Sequence, residues 1–275
     1  MNIIRAIIAG ERSPEKLALM RERGVKNTPE AIAKALEGDY REEHLFALKQ
    51  AVELYDFYHR QIEACDREIE RHLHTFEVKV DPALHPLPPS KRKGKKPIGN
   101  QSFVDLRTEL YRVSGIDFTK IPGLDALTIQ TILSEVGLDP GKFPTEKRFV
   151  SWLALCPNNR ITGGKVKSTK TRKTANRAAG AFRMGAQSLA NSNTSLGGFY
   201  RRIRARLGAP KAITATAHKL ARIFYRMWTT GQSYTDLGSD FYENRYKERV
   251  LRNITKRARE LGYDAILQPI EQRVA

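Results

Sequence analysis

The sequence predicts a mainly α protein. A long coiled-coil helix is joined by a basic, Pro-rich linker to a compact helical domain. Three observations predict this. Short apolar stretches near the N-terminus open on a Ser/Thr–Pro pair and stop at glycine. Apolar residues then recur at steps of three and four from Leu45 to Leu73. After a Pro-rich break, helical patterning resumes near Ser102 and reaches the C-terminus.

The first region, residues 1–40, holds short capped helices. SPEKLALMRERG offers Ser13 as N-cap, Pro14 in the first turn and Gly24 as stop. TPEAIAKALEG repeats the device with Thr28, Pro29 and Gly38. A cap oxygen satisfies a free N–H of the first turn, and proline fits where no N–H is needed. Residues 41–77 form the long helix. Its apolar positions are Leu45, Leu48, Val52, Tyr55, Tyr58, Ile62, Cys65, Ile69 and Leu73, with charges such as Glu63, Asp66 and Arg67 outside the stripe. That narrow seam fits self-association, or packing within its own domain.

Residues 78–101 are the linker, with several prolines and the run SKRKGKK. Residues 102–275 form the second domain. It has a helix-hairpin-like opening at 119–137, a basic core at 147–235 and a C-terminal helix at 241–261. Strands are few at best. In the opening, IPGLDALTIQTILSEVG, Gly123 would let backbone approach phosphate at a helix N-terminus, or simply turn the chain. Asp125 stands where a second glycine would be expected.

Charge sharpens the functional reading. The chain has 275 residues, 48 basic against 30 acidic, for a net charge of +18. Between Glu146 and Asp236 lie 89 residues without a carboxylate, carrying 18 Lys and Arg. The rest of the chain is neutral. Such a balance points to a polyanion, nucleic acid being the commonest. No apolar run approaches the roughly 18 residues of a membrane span. The two cysteines, Cys65 and Cys156, have neither metal-ligand nor disulfide spacing. Together these suggest a reduced, cytoplasmic, nucleoid-associated protein with no membrane partner.

The densest part is NNRITGGKVKSTKTRKTANR, Asn158 to Arg177. It offers Arg160, Lys165, Lys167, Lys170, Arg172, Lys173 and Arg177 as phosphate contacts, with Gly163 and Gly164 allowing close backbone approach. Downstream, GGFYRRIRARLGAPK adds Arg201, Arg202, Arg204 and Lys211, with Phe199 and Tyr200 stacking on bases or packing in the core. GGK is not a phosphate loop, because Asn159 and Val166 stand where glycine and Ser/Thr are required. His218 suits packing or a phosphate contact. The tract cannot hold a metal with carboxylates, so chemistry there would need a hydroxyl nucleophile with cations around it.

FVSWLALCPNNRITGGKVKSTKTRKTANRAA, followed by LGGFYRRIRARLGAPKAITATAHKLARIFYRMWTTGQSY, resembles the C-terminal transposase domain of the insertion-sequence 110/116/902 family. The 119–137 opening and the long helix resemble the same family. The resemblance implies a recombinase that moves an insertion sequence on duplex DNA, in some members with a structured guide RNA. It implies homo-oligomers, or pairing with a full-length transposase, through the coiled coil. In the family an N-terminal ribonuclease-H-like domain holds Mg2+ with an Asp-Glu-Asp-Asp set. That domain is expected to be missing here, with no metal ligands in this chain. A family serine attacks DNA phosphate to form a covalent 5′ link, and the matching position is Thr162, whose extra methyl crowds attack. The alternative expectation is a catalytically inactive DNA-binding or assembly module that regulates a full-length transposase.

Overall fold

The computed structural model describes residues 1–22, 24–89 and 105–266. The protein is mainly α: eleven α-helices and one two-stranded antiparallel sheet lie among these residues. The chain divides into two units, Met1–Arg71 and His72–Ala275.

In the first unit, α1 (Asn2–Ile8) precedes α2 (Pro14–Leu19) and α3 (Pro29–Leu36). The expected caps form: Ser13 accepts from the Lys16 N–H and Thr28 from the Ala31 N–H, each at 3.3 Å. Neither helix reaches the glycine expected to stop it. α2 tightens at its end, the Met20 N–H donating to the Leu17 carbonyl, and α3 ends at Leu36. Ile7, Leu17 and Ala18 form a small buried set. The long helix is α4 (Glu42–Leu73), tied to α1 by an Arg5–Asp56 ion pair of 2.5 Å. Its seam is not uniform. Leu45, Leu48, Val52 and Ile62 are half-buried, whereas Tyr55, Tyr58, Cys65 and Ile69 are exposed. The SKRKGKK run and the rest of the linker from residue 90 lie outside the described residues.

The second unit is built around an aromatic core. Its helices are α5 (Leu106–Ser114), α6 (Ala126–Val136), α7 (Glu146–Trp152), α8 (Arg177–Ser188), α9 (Ser195–Leu207), α10 (Ala209–Thr230) and α11 (Gly238–Glu260). α10 is central and packs against α7, α8 and α9; α6 packs on α8 and α11 on α9. Phe118, Phe149, Phe182 and Phe224 are fully buried. Phe118 stacks on Phe224 with centroids 4.2 Å apart, and Phe182 meets Phe224 edge-on at 5.7 Å. Such pairs add about 0.5–1.5 kcal/mol beyond the area they bury.

Polar residues at the helix starts explain the boundaries. Asp105, Asp125, Thr145, Asn176 and Thr194 each accept a first-turn N–H of α5 to α9 in turn. Small residues set the closest approach. Ala178, Ala179 and Ala186 of α8 are fully buried. Gly123 sits at φ +87°, and a Cβ there would meet the Gly185 carbonyl oxygen at 2.6 Å. One built on Gly185 would meet the Gly123 oxygen at 2.8 Å. Gly123 therefore serves a backbone-to-backbone contact with α8. Asp125 already caps the α6 N-terminus with a carboxylate, donated to by the Thr128 N–H at 2.9 Å.

Candidate nucleic-acid interface

Between α7 and α8 the chain leaves the core and forms the sheet: β1 (Arg160–Thr162) and β2 (Lys165–Ser168). Gly163 and Gly164 are the two residues between them, at φ +56° and +71°. Two successive positive φ values are what a tight hairpin of right-handed twist requires, and glycine adopts them without a Cβ clash. Thr162 pairs with Lys165 and Ile161 with Val166, but Arg160 pairs with Ser168. The ladder therefore skips Lys167, a bulge that redirects strand and side chains. The limbs continue below the sheet as a Pro157–Thr171 bridge and an Asn158 N–H to Lys170 carbonyl bond of 3.1 Å.

Side chains alternate along a strand, so Arg160, Thr162 and Lys165 share one face of the hairpin. Ile161 and Val166 share the other, and they remain 60% and 56% exposed. Thr162 is exposed at the last position before the turn. Among the described residues, no side chain hydrogen-bonds to its Oγ1.

The structure thus brings together Arg160, Thr162, Gly163, Gly164, Lys165 and Lys167 on one projecting element. Lys170, Arg172 and Lys173 follow on the limb that leads to α8. All of these are exposed. Arg172 is anchored, donating from Nη2 to the Ser151 carbonyl at 2.5 Å, at the end of α7. Arg177, the first residue of α8, pairs with Glu135 at 3.0 Å.

The downstream cations are placed differently. Arg201 donates to the Ser192 carbonyl at 2.7 Å. Arg202 is held by Glu243 at 2.7 Å, and its guanidinium lies 3.2 Å from the Tyr246 ring centroid. Both side chains therefore spend donors inside the fold. Arg204 and Lys211 are exposed. Phe199 is half-buried and meets Tyr242 edge-on, while Tyr200 is buried. His218 is half-buried on α10. Burial holds its pKa below the ordinary value, Arg222 lowers it further and Glu146 opposes the shift.

Sequence reading missed one junction. Asp236 accepts from the Ser195 N–H at 3.0 Å, the Ser195 hydroxyl at 2.7 Å and the Tyr234 hydroxyl at 2.9 Å. It ties the α10–α11 loop to the start of α9. Burial pushes Tyr234 up to about 12, and Asp236 adds to the shift against the Ser195 hydrogen bond. No spacing rule links positions 195, 234 and 236; only a serine at a helix start and an acid ending the acid-free tract hinted at it.

Residues 117–201 match the family described as Transposase IS116/IS110/IS902. The match is consistent with a C-terminal transposase domain of that family. No curated protein and no solved structure matches the chain. The matched segment runs from the Asp117 turn through α6, α7, the hairpin and α8 to Arg201 on α9. It therefore contains both the Gly123–Gly185 contact and every cation of the hairpin. A transposase family implies DNA binding. Among the described residues, no group of three or more His, Cys, Asp or Glu side chains is placed to hold a metal ion. No described helix is long and apolar enough to cross a membrane.

Proposed function

We propose that this chain is the DNA-handling C-terminal region of an insertion-sequence transposase, gripping duplex DNA through the β1–β2 hairpin and the limb after it. The observation that carries this reading is the hairpin itself. Within the family-matched segment, an element with no carboxylate projects a hydroxyl and five exposed cations, Arg160, Lys165, Lys167, Lys170 and Lys173, from a rigid helical base. Mobile counterions leave the phosphates when such cations bind, which makes binding steeply salt-dependent.

In the chemical step, Thr162 Oγ1 forms a bond to a backbone phosphorus and the bond to the 3′-oxygen breaks. The threonine proton ends on the departing 3′-hydroxyl, by way of water. Arg160 and Lys165, on the same hairpin face, are placed to stabilise the added negative charge. A structured guide RNA is a further partner for the same cations, and α4 is the surface through which copies or a full-length transposase associate.

A second reading has its own support. Among the described residues no side chain hydrogen-bonds to Thr162 Oγ1, and the hairpin carries no His, Asp or Glu to take its proton. This favours a module that binds DNA and regulates an active transposase without cutting.

The test of the shared core of both readings is binding to duplex DNA across a salt series. The log–log slope is expected at roughly −4 to −8, for about five to nine neutralised phosphates. Replacing Lys165 and Lys167 with Gln lowers that slope by about 1.8. Binding that ignores salt would overturn the reading.

A further inference from the structure

α10 carries cations that the hairpin reading does not use. Arg222 and Arg226 are one helical turn apart, about 6 Å along the axis. The opposite face of the helix is core: Ala217, Leu220, Ala221, Phe224 and Trp228 are buried. No acidic residue occurs anywhere on α10. The outer face is thus a cationic ridge on the most firmly packed helix of the unit.

The hydrogen bonding of Arg222 is uneven. Its Nε donates to the carboxylate of Glu146, the first residue of α7. The two Nη groups make no hydrogen bond among the described residues, and the side chain stays 54% exposed. A guanidinium has five donors in a fixed fork. One bond at Nε fixes the plane and leaves the two-pronged end facing outward, the geometry that suits a phosphate. Arg226 is exposed, and its side chain has no ion-pair or hydrogen-bond partner among the described residues.

The ridge also adjoins the hairpin base. Burial pushes the Cys156 thiol up, and the guanidinia of Arg172 and Arg222 both pull it back down. Arg172, from the hairpin limb, and Arg222, from α10, are both held on α7, at Ser151 and Glu146. Arg172 is in turn fixed to the end of α7 by Ser151. The cations of the hairpin limb and of α10 thus meet on one helix, α7. His218 is half-buried on α10, and burial together with Arg222 holds its pKa below the ordinary value.

We propose that Arg222 and Arg226 form a second binding edge for the sugar–phosphate backbone of duplex DNA, continuous with the hairpin base through Arg172. Glu146 acts as a positioning residue that aims the Arg222 fork. The proposal rests on the DNA-binding reading above and adds a site to it. An extended edge of this kind would hold DNA in a fixed direction relative to the hairpin, since two contact lines define an orientation that one cannot.

The test uses the full chain and a duplex DNA probe across a salt series. Arg226→Gln breaks no contact within the described fold, so it isolates the binding effect. It is expected to lower the slope by about 0.9, and Arg222→Gln/Arg226→Gln by about 1.8, with melting temperatures near that of the parent. Unchanged slopes in both, while Lys165→Gln/Lys167→Gln still lowers its own, would overturn the α10 edge and leave the hairpin reading standing. A parent protein without salt-dependent binding would remove both. A slope change seen with structured RNA but not with duplex DNA would also overturn the proposal as stated.

Discussion

Thr162 and Gly123 show two ways in which one residue can decide what this chain does. Thr162 stands at the end of β1 with a hydroxyl that no described side chain hydrogen-bonds, and in the proposed reaction its methyl group would crowd attack on a phosphodiester. Thr162→Ser, with a ribonuclease-H-like transposase domain supplied separately, is expected to raise the yield of covalent protein–DNA adduct by up to about 100-fold. The adduct is read as a slow band on a denaturing gel. No adduct in either form, beside a working full-length control, would favour the binding-only module. Gly123 makes a different prediction. A Cβ at 2.6 Å from the Gly185 carbonyl has only backbone to push against, and its φ of +87° disfavours any other residue. Gly123→Ala should cost about 2–4 kcal/mol, seen as a lower denaturant midpoint.

The hairpin and α4 set the problem at the scale of elements. Helices announced themselves through caps and periodicity: Ser13, Thr28 and the Leu45–Leu73 pattern each correspond to a helix in the structure. The hairpin did not, although Gly-Gly between Thr162 and Lys165 is a recognised turn signal. Its strands span three and four residues and are exposed nearly throughout, so no apolar alternation marks them. The reading of this tract from charge found the cations but not the face they share. The ion pairs that occupy Arg177 and Arg202 were equally hidden, because Glu135 and Glu243 lie about forty positions away in sequence. On α4, Tyr58 and Ile69 are exposed on the proposed association seam. Changing both to Glu should abolish self-association in sedimentation without loss of helicity. An unchanged profile would mean that α4 makes no such contact.

Within the second unit, two partly buried carboxylates, Asp117 and Asp236, make stability depend on acid. Burial alone would raise the Asp117 pKa, but hydrogen bonds from Arg107 and Thr119 and the Arg107 charge hold it below the ordinary value. Its Oδ2 lies 2.6 Å from Arg107, and its side chain is only 4% exposed. Asp236 is likewise opposed by burial and lowered by Ser195, Gly238 and Tyr234. A depressed folded-state pKa stabilises the fold above the unfolded value near 3.9, and the gain is lost as pH falls through the folded value. Thermal stability should therefore drop below about pH 4, and Asp236→Asn should flatten the part of that drop due to Asp236. Tyr234 works in the other direction. With its folded pKa at about 12 against about 10 when unfolded, stability declines as pH rises between those values, and ultraviolet titration should find late tyrosines, Tyr234 and the also raised Tyr242.

The hairpin's exposure reaches beyond binding. Residues 160–167 are all solvent-exposed, and none belongs to the buried core. Substitutions at such positions usually change stability by less than about 0.5 kcal/mol. A lineage carrying this fold can therefore exchange the hydroxyl at position 162, or the cations beside it, without endangering folding. Selection on the proposed reaction would be uncoupled from selection on the scaffold, so a copy unable to react would persist as an intact protein, one mutation away from a different hydroxyl.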